Sequence, residues 1–512
     1  MNFLADTLRF IADNIFNEVA ILIGLITVLG LALQRKPVDE IVAGALRATI
    51  GVLVLFIGVD VFVAGLSAFQ TIVGSAVGLD PPTSRSTLDQ FLGAQGGSIA
   101  LVITVGFLLH LLLVRLLRTR YVYLTGHLLF WVAVITTAAL VEVFGTVEQW
   151  KLVLAGAVVV ATYWTIQPLF IAPLMRRVIG SDDWGYGHTS SSVAWLAGRL
   201  GAVVGDPRRD DIEKVRLPRQ LSFFKDVNVS TALVITAIML VAMAFADPAV
   251  VAEQAATYNA NVNPWMWGII AGLRFAAGIA ILLFGVRMFL AEIVPAFTGI
   301  SERLIPGSAP ALDVPTVFPF APTAVMLGFV ASTVVFLVLM GVFAAAGWFV
   351  LVPPMIMLFF PGAGAGVFGN ALGGWKGAVL GGALNGLFLA VGQAVTWGLL
   401  SNTAPELATL ADPDWYLIIW LLLALGAPLA NAGTSAILAV PLIVLAGFAV
   451  WMMLLKRRGV DEPVPVPADA VDRSAPAATG VTGGGGRWVG PRGGSSTSGG
   501  EATERPEEGE VR

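Results

Sequence analysis

Of 512 residues, 57% are hydrophobic and only 12% are charged, against roughly 25% charged in soluble domains, which excludes an ordinary soluble fold. A formal net charge of -4 offers no basic footprint for nucleic acid. The absence of cysteine removes disulfides, cysteine-metal sites and thiol catalysis together.

Taken in chain order, eleven stretches are long and apolar enough to cross a bilayer: about 18–34, 42–66, 97–117, 122–143, 152–174, 229–247, 266–291, 322–346, 349–360 with its glycine-rich extension, 376–399 and 436–455. The first follows Asp6, Asp13 and Glu18 rather than a basic segment, so it is expected to persist as a span and not as a cleaved signal. The ninth is interrupted by Pro353-Pro354 and by Pro361-Gly362-Ala363-Gly364. The arm Trp415–Ala430 before the last is short and broken at Gly426-Ala427-Pro428. Interrupted segments are tolerated at membrane depth where they face protein or a wet cavity. From Val460 the composition turns to Gly, Pro, Ser, Thr and Glu, which predicts a disordered tail over 459–512.

Basic clusters set the expected orientation. Arg35-Lys36, Arg115/Arg118/Arg120, Arg176-Arg177 and Lys456-Arg457-Arg458 follow odd-numbered spans, whereas Glu142, Glu148, Asp247, Glu253, Glu406, Asp412 and Asp414 occupy the alternate loops. The positive-inside rule then puts the N-terminus outside and the C-terminus in the cytoplasm.

The halves echo each other. Phe56-Ile57-Gly58-Val59-Asp60 matches Leu283-Phe284-Gly285-Val286-Arg287 in position, Leu79-Asp80-Pro81-Pro82-Thr83 matches Leu312-Asp313-Val314-Pro315-Thr316, and Trp150-Lys151 matches Trp375-Lys376. Three echoes in one order predict a duplication. Five spans in the first unit would invert the second, giving a five-plus-five inverted repeat with one extra span, which is a transporter arrangement.

Ionisable groups near spans are the candidates for function. The chain has three histidines. His110, in a leucine-rich span, reads as a helix–helix hydrogen-bonder. His127, in Leu124-Thr125-Gly126-His127, is either a site or an interfacial residue, and His188, in Gly187-His188-Thr189-Ser190, reads on its residues alone as a solvated turn. Asp313, on proline-rich backbone, is either a loop cap or a functional carboxylate. Asp60 and Arg287 hold equivalent repeat positions with opposite charge. No phosphate-binding loop, dinucleotide fingerprint or metal-ligand spacing is present, so no metal or cofactor is expected and ATP-driven transport is disfavoured.

Gly285-Val286-Arg287-Met288-Phe289, Gly299-Ile300-Ser301-Glu302-Arg303-Leu304-Ile305-Pro306-Gly307, Ala311-Leu312-Asp313, Phe320-Ala321-Pro322, the run from Gly366-Val367-Phe368 to Gly373-Gly374-Trp375, and Leu124-Thr125-Gly126-His127 stand in order along the chain. Together they closely resemble the ascorbate-type membrane subunit, enzyme IIC, of the bacterial phosphoenolpyruvate-dependent sugar phosphotransferase system, over roughly residues 15–455. The resemblance implies an all-α polytopic inner-membrane homodimer of eleven-span protomers, each with a substrate-carrying core domain and a V-shaped dimerisation domain. The organisation would be a membrane-embedded permease over 1–458 (repeat one about 15–175, cytoplasmic loop about 176–228, repeat two about 229–400, final arm and span about 415–458), followed by the tail. It implies L-ascorbate or a related sugar acid as substrate and separate IIB and IIA subunits as phosphorylating partners, with no phosphorylation of this chain.

The family's substrate contacts fall on His127, Trp131, His188, Thr189 and Asp313, and on Ser86 and Thr87. Tryptophan stands at 131 and threonine at 189 where the resemblance leads one to expect glutamines, and Thr87 stands near an expected tyrosine. Two other classes compete: an ion- or proton-coupled secondary transporter of a small hydroxylated anion, and an integral-membrane enzyme, the latter disfavoured by the lack of a catalytic constellation.

Overall fold

The computed structural model describes residues 18–77, 86–214 and 227–457. The first-half echo Leu79–Thr83, the acidic residues before Glu18 and the 459–512 tail lie outside the described residues.

Helix dominates, as the composition requires: a backbone in lipid must satisfy its hydrogen bonds internally. The first half contains α1 (Val19–Leu33), α2 (Val38–Val77), α3 (Leu88–Leu117), α4 (Gly126–Phe144), α5 (Gln149–Ile179) and α6 (Ser191–Val204). The second contains α7 (Val227–Phe245), α8 (Pro248–Tyr258), α9 (Pro264–Arg303), α10 (Pro322–Ala345), α11 (Met355–Leu399), α12 (Leu407–Leu410), α13 (Pro413–Ala430) and α14 (Ala439–Arg457). Among the described residues nine helices are long and apolar enough to cross a membrane, and Ala20–Leu33, Ser191–Val204 and Thr231–Phe245 are shorter apolar helices.

This differs from the eleven expected spans in several places: the expected spans at about 18–34 and 229–247 appear as the shorter apolar helices Ala20–Leu33 and Thr231–Phe245. The segments 349–360 and 376–399 join into α11, bent at Gly374, and the arm before the last span is itself a helix, α13, of 18 residues. Gly374 has φ 61° and ψ -155°, a conformation that a side chain disfavours. A Cβ there would also run into the backbone carbonyl of Asp210. The Trp375 N–H donates to that carbonyl at 2.8 Å and Lys376 Nζ pairs with Asp210 Oδ2 at 2.9 Å. Beyond the bend the helix doubles back, so that Gly369 meets Gly377 and Ala365 meets Gly381 with almost no side-chain volume between them.

Helices α2 and α9, each 40 residues and so about 60 Å long, pack closely. A Cβ on Gly58 would strike Leu282 and Gly278, and one on Gly285 would strike Leu55 and Gly51. The contacts are reciprocal between positions matched in the two sequence echoes. Asp60 and Arg287 are both exposed and form no ion pair with each other.

Between the helices lies a small sheet, which the all-α expectation did not include. Strands β1 (Tyr121–Tyr123), β2 (Gly185–Tyr186) and β3 (Ala309–Leu312) run parallel in the order β1-β3-β2 and are buried along their whole length. Burial on all sides is normal for parallel strands. Residues about 122–125, expected to open a span, are therefore strand and turn, and α4 starts only at Gly126.

Candidate functional site

Parallel strands end on one edge, and the chain leaves each of these strands toward the same place. After β1 come Leu124, Thr125 and Gly126, then His127; after β2 comes Gly187, then His188; directly after β3 comes Asp313. Bonds across the exits hold the register: Leu124 N–H donates to the Ala311 carbonyl at 3.0 Å, Gly187 N–H to the Leu312 carbonyl at 2.7 Å, and the Thr125 hydroxyl to the Gly187 carbonyl. Three residues distant in sequence are thus brought to one point by a few backbone hydrogen bonds.

His127 Nε2 lies 3.6 Å from Asp313 Oδ2, and His188 Nε2 lies 3.8 Å from Asp313 Oδ1. Asp313 Oδ1 also accepts the Val314 N–H at 2.7 Å, capping the 3₁₀ helix Val314–Phe320. The expected loop cap is thus present on one side of the carboxylate, and the other side faces the two imidazoles. His188 is buried at 4% exposure. Its Nδ1 meets Ser190 Oγ at 2.9 Å, and that hydroxyl also meets Tyr186 Oη at 2.7 Å. The solvated turn expected for His188 is thus replaced by a fixed, buried imidazole, because the segment packs under the sheet and opens α6.

A second carboxylate joins them. Asp412 Oδ2 lies 3.7 Å from His188 Nε2 and accepts the Thr189 hydroxyl, whose oxygen in turn accepts the Trp415 indole N–H at 3.0 Å. Asp414, in the first turn of α13, accepts from the Tyr163 hydroxyl at 2.8 Å and from the backbone and hydroxyl groups of both Ser191 and Ser192. A carboxylate at the N-terminus of α6 satisfies donors the helix cannot, so it ties α13 to α6 and fixes Asp412 over the site. Asp412 and Asp414, expected as loop charges, are 5% and 3% exposed.

These side chains line a cavity of about 320 Å³, within the range of small-molecule sites. Its walls are His127, His188, Asp313, Asp412, Trp131 and Trp415, with Leu55, Phe56 and Val59 from α2 and Met357 and Phe360 from α11. Trp131 and Trp415 lie 5.6 Å apart at 31°, forming an aromatic wall. A larger cavity of about 490 Å³ is lined by Thr71, Gln254, Tyr258, Trp267 and Arg274 and brings no imidazole or carboxylate together. Convergent polar groups on an apolar wall favour the first as the binding site.

The polar groups on the connections between the spanning helices are tuned by burial. It pushes the carboxyls of Asp313 and Asp412 up to about 7, and it holds the His188 imidazole well below its ordinary value, with His127 adding to the effect. The neutral imidazole can donate from one nitrogen and accept at the other. Among the described residues no set of three or more ligating side chains is arranged to hold a metal ion.

A model of the EIIC-GAT family, the sugar-specific permease component of the PTS system, matches residues 14–414. The chain belongs to that family. It is also 28% identical over 426 residues, 73% of its own length, to the ascorbate-specific PTS system EIIC component of Mycoplasma pneumoniae (strain ATCC 29342 / M129). It spans 64% of that relative's length. The protein is accordingly a multi-pass membrane protein of the PTS sugar-specific permease family.

Of the residues singled out in this permease, His127, Trp131, His188 and Asp313 line the one cavity. Thr189 is outside its lining, fully buried, and its hydroxyl donates to Asp412. Ser86 and Thr87 are outside its lining: Ser86 donates to the Ser401 carbonyl at 3.0 Å, and Thr87 caps α3 by accepting the Gln90 N–H. Asp412 and Trp415 were missed by sequence reasoning. The available signal was Ala411-Asp412-Pro413-Asp414, an acidic residue just before a proline that opens a helix, but nothing in it specifies the partner across the fold.

Proposed function

We propose that this permease carries L-ascorbate or a related small hydroxylated sugar acid across the inner membrane, and that separate IIB and IIA subunits phosphorylate it at the cytoplasmic face. The observation that carries this reading is the convergence of His127, His188 and Asp313, from three strand ends, in a cavity of about 320 Å³. The carboxylate of Asp313 can accept from ring or side-chain hydroxyls, the imidazoles can serve as donor or acceptor, and the tryptophans can cover the apolar face of a ring. The name of the Mycoplasma relative supports ascorbate as the first ligand to try. Transfer of a phosphoryl group is left to the partners, since this chain has no cysteine and no nucleotide loop.

The same reading includes an eleven-span protomer with an external N-terminus and a cytoplasmic C-terminus, organised as an inverted repeat and paired as a homodimer through the V-shaped domain. The reciprocal contacts of Gly58 and Gly285 support the repeat, and the basic clusters support the orientation.

The test is transport in proteoliposomes containing the permease, with phosphoenolpyruvate, the general phosphocarriers, IIA and IIB on the cytoplasmic side. The expected result is uptake that requires every component and yields a phosphorylated product. Accumulation of unmodified substrate by the permease alone, driven by an ion gradient, would establish the secondary-transporter reading instead.

A further inference from the structure

The larger cavity, of about 490 Å³, shares no lining residue with the one that gathers the imidazoles. It lies between the C-terminal half of α2, the short helix α8 and the first turns of α9, and among the described residues lining it Arg274 alone is charged. Arg274 is exposed and forms no ion pair with any described residue. Its guanidinium sits instead over the Tyr258 ring, 5.3 Å from the centroid. A cation without a carboxylate on a spanning helix is a candidate binding group.

The neighbours set its depth. Helix α8 has 11 residues, too few to span a bilayer. Tyr258 is exposed at its end, and Trp265 is exposed at the start of α9. Exposed tyrosine and tryptophan at the ends of membrane helices mark the headgroup level. Arg274 stands ten residues past Pro264, about 15 Å along α9, and a helical side chain leans toward the N-terminus of its helix, so the guanidinium reaches back toward that level. Beyond Arg274 the exposed face of α9 is apolar, with Ala277 and Phe284.

A guanidinium that no carboxylate neutralises suits a phosphate, which it can meet with two parallel N–H donors. The lining has no carboxylate for the ammonium of a zwitterionic headgroup. It has the Gln254 amide, and the Thr257 hydroxyl, which donates to the Gln254 carbonyl at 2.6 Å and keeps its own oxygen as an acceptor. Both can accept from the hydroxyls of a glycerol headgroup.

We propose that this cavity binds an anionic phospholipid of the phosphatidylglycerol type, with the phosphate on Arg274, the glycerol hydroxyls on Gln254 and Thr257, and an acyl chain along the exposed face of α9. The site is separate from the substrate cavity and needs no assumption about what is transported.

The experiment measures binding of radiolabelled dioleoyl phosphatidylglycerol to the delipidated full-length permease in detergent, with three competitors: the unlabelled lipid, dioleoyl phosphatidylcholine, and inorganic phosphate in large excess at constant ionic strength. The unlabelled lipid should displace the label at a concentration about tenfold or more below that of phosphatidylcholine, and inorganic phosphate should leave the label bound. Arg274→Gln should weaken binding of the labelled lipid by about tenfold or more, the loss of a charge-assisted contact. Equal displacement by the two lipids would overturn the inference, as would a folded Arg274→Gln of unchanged affinity. Displacement by inorganic phosphate would make the cavity a site for free anions and overturn its assignment to lipid. The wild-type competition decides the matter even if the variant does not fold.

Discussion

His127 Nε2 and Asp313 Oδ2 face each other at 3.6 Å across the mouth of the cavity, one from the first turn of α4 and the other from the end of β3. That separation is longer than a hydrogen bond, so a ligand hydroxyl can engage both groups. Asp313→Asn and His127→Ala should each weaken binding of an uncharged hydroxylated ligand by about tenfold or more, the equivalent of a charge-assisted hydrogen bond of roughly 1.5–3 kcal/mol. The check is calorimetry with L-gulono-1,4-lactone alongside thermal melting in detergent. Loss of binding that tracks loss of melting temperature would mean that the pair is structural.

His110 provides the contrast. It is fully buried, and its Nε2 accepts the Tyr123 backbone N–H at 3.0 Å, which places the ring proton on Nδ1, where it can donate to Thr165 Oγ1 at 2.9 Å. Thr165 then donates to the Ala161 carbonyl. His110→Ala would leave a buried backbone N–H without an acceptor, a cost of about 1–3 kcal/mol before any cavity is counted. The expected outcome is a melting temperature lowered by several degrees, with ligand affinity in the folded fraction changed less than by Asp313→Asn.

The reading of His110 as a hydrogen-bonder between elements was legible in the sequence, because a lone polar ring in a leucine-rich span has few other ways to be satisfied. The membrane class was equally legible, since apolar run length is a direct physical requirement. His127, Trp131, His188 and Asp313 came from a family resemblance and fall in one cavity. The strands β1, β2 and β3, only two to four residues each, were not legible, since periodicity needs longer windows and their pairing is non-local. Asp412 does lie on a connection, but the burial of Asp412 and Asp414 was not legible for the same reason: the Thr189, Ser191 and Ser192 donors that meet them lie in the other half of the chain.

The pH dependence follows from the two carboxyls. Both are raised to about 7, so they are charged above that pH and become neutral below it, while His188 stays neutral and supplies no compensating charge. Ascorbate affinity should therefore rise as pH falls from 8 to 6, by on the order of tenfold over the two units if one of these carboxyls is protonated in the complex. Affinity for the lactone should move less. A titration series in which ascorbate binds more weakly at pH 6 than at pH 8 would contradict this electrostatic picture.

The natural absence of cysteine allows the most direct test of where substrate binds. Leu410 lines the cavity with His127, His188 and Asp313 and is 37% exposed, whereas Thr257 is exposed in the larger cavity beside Arg274. Leu410→Cys and Thr257→Cys are each made in the otherwise cysteine-free permease, and the rate of alkylation by a small maleimide is followed with and without saturating L-gulono-1,4-lactone or L-ascorbate. Substrate should slow labelling at position 410 by tenfold or more and leave the rate at 257 unchanged. Protection at 257 with none at 410 would contradict the assignment of the His127–His188–Asp313 cavity as the substrate site.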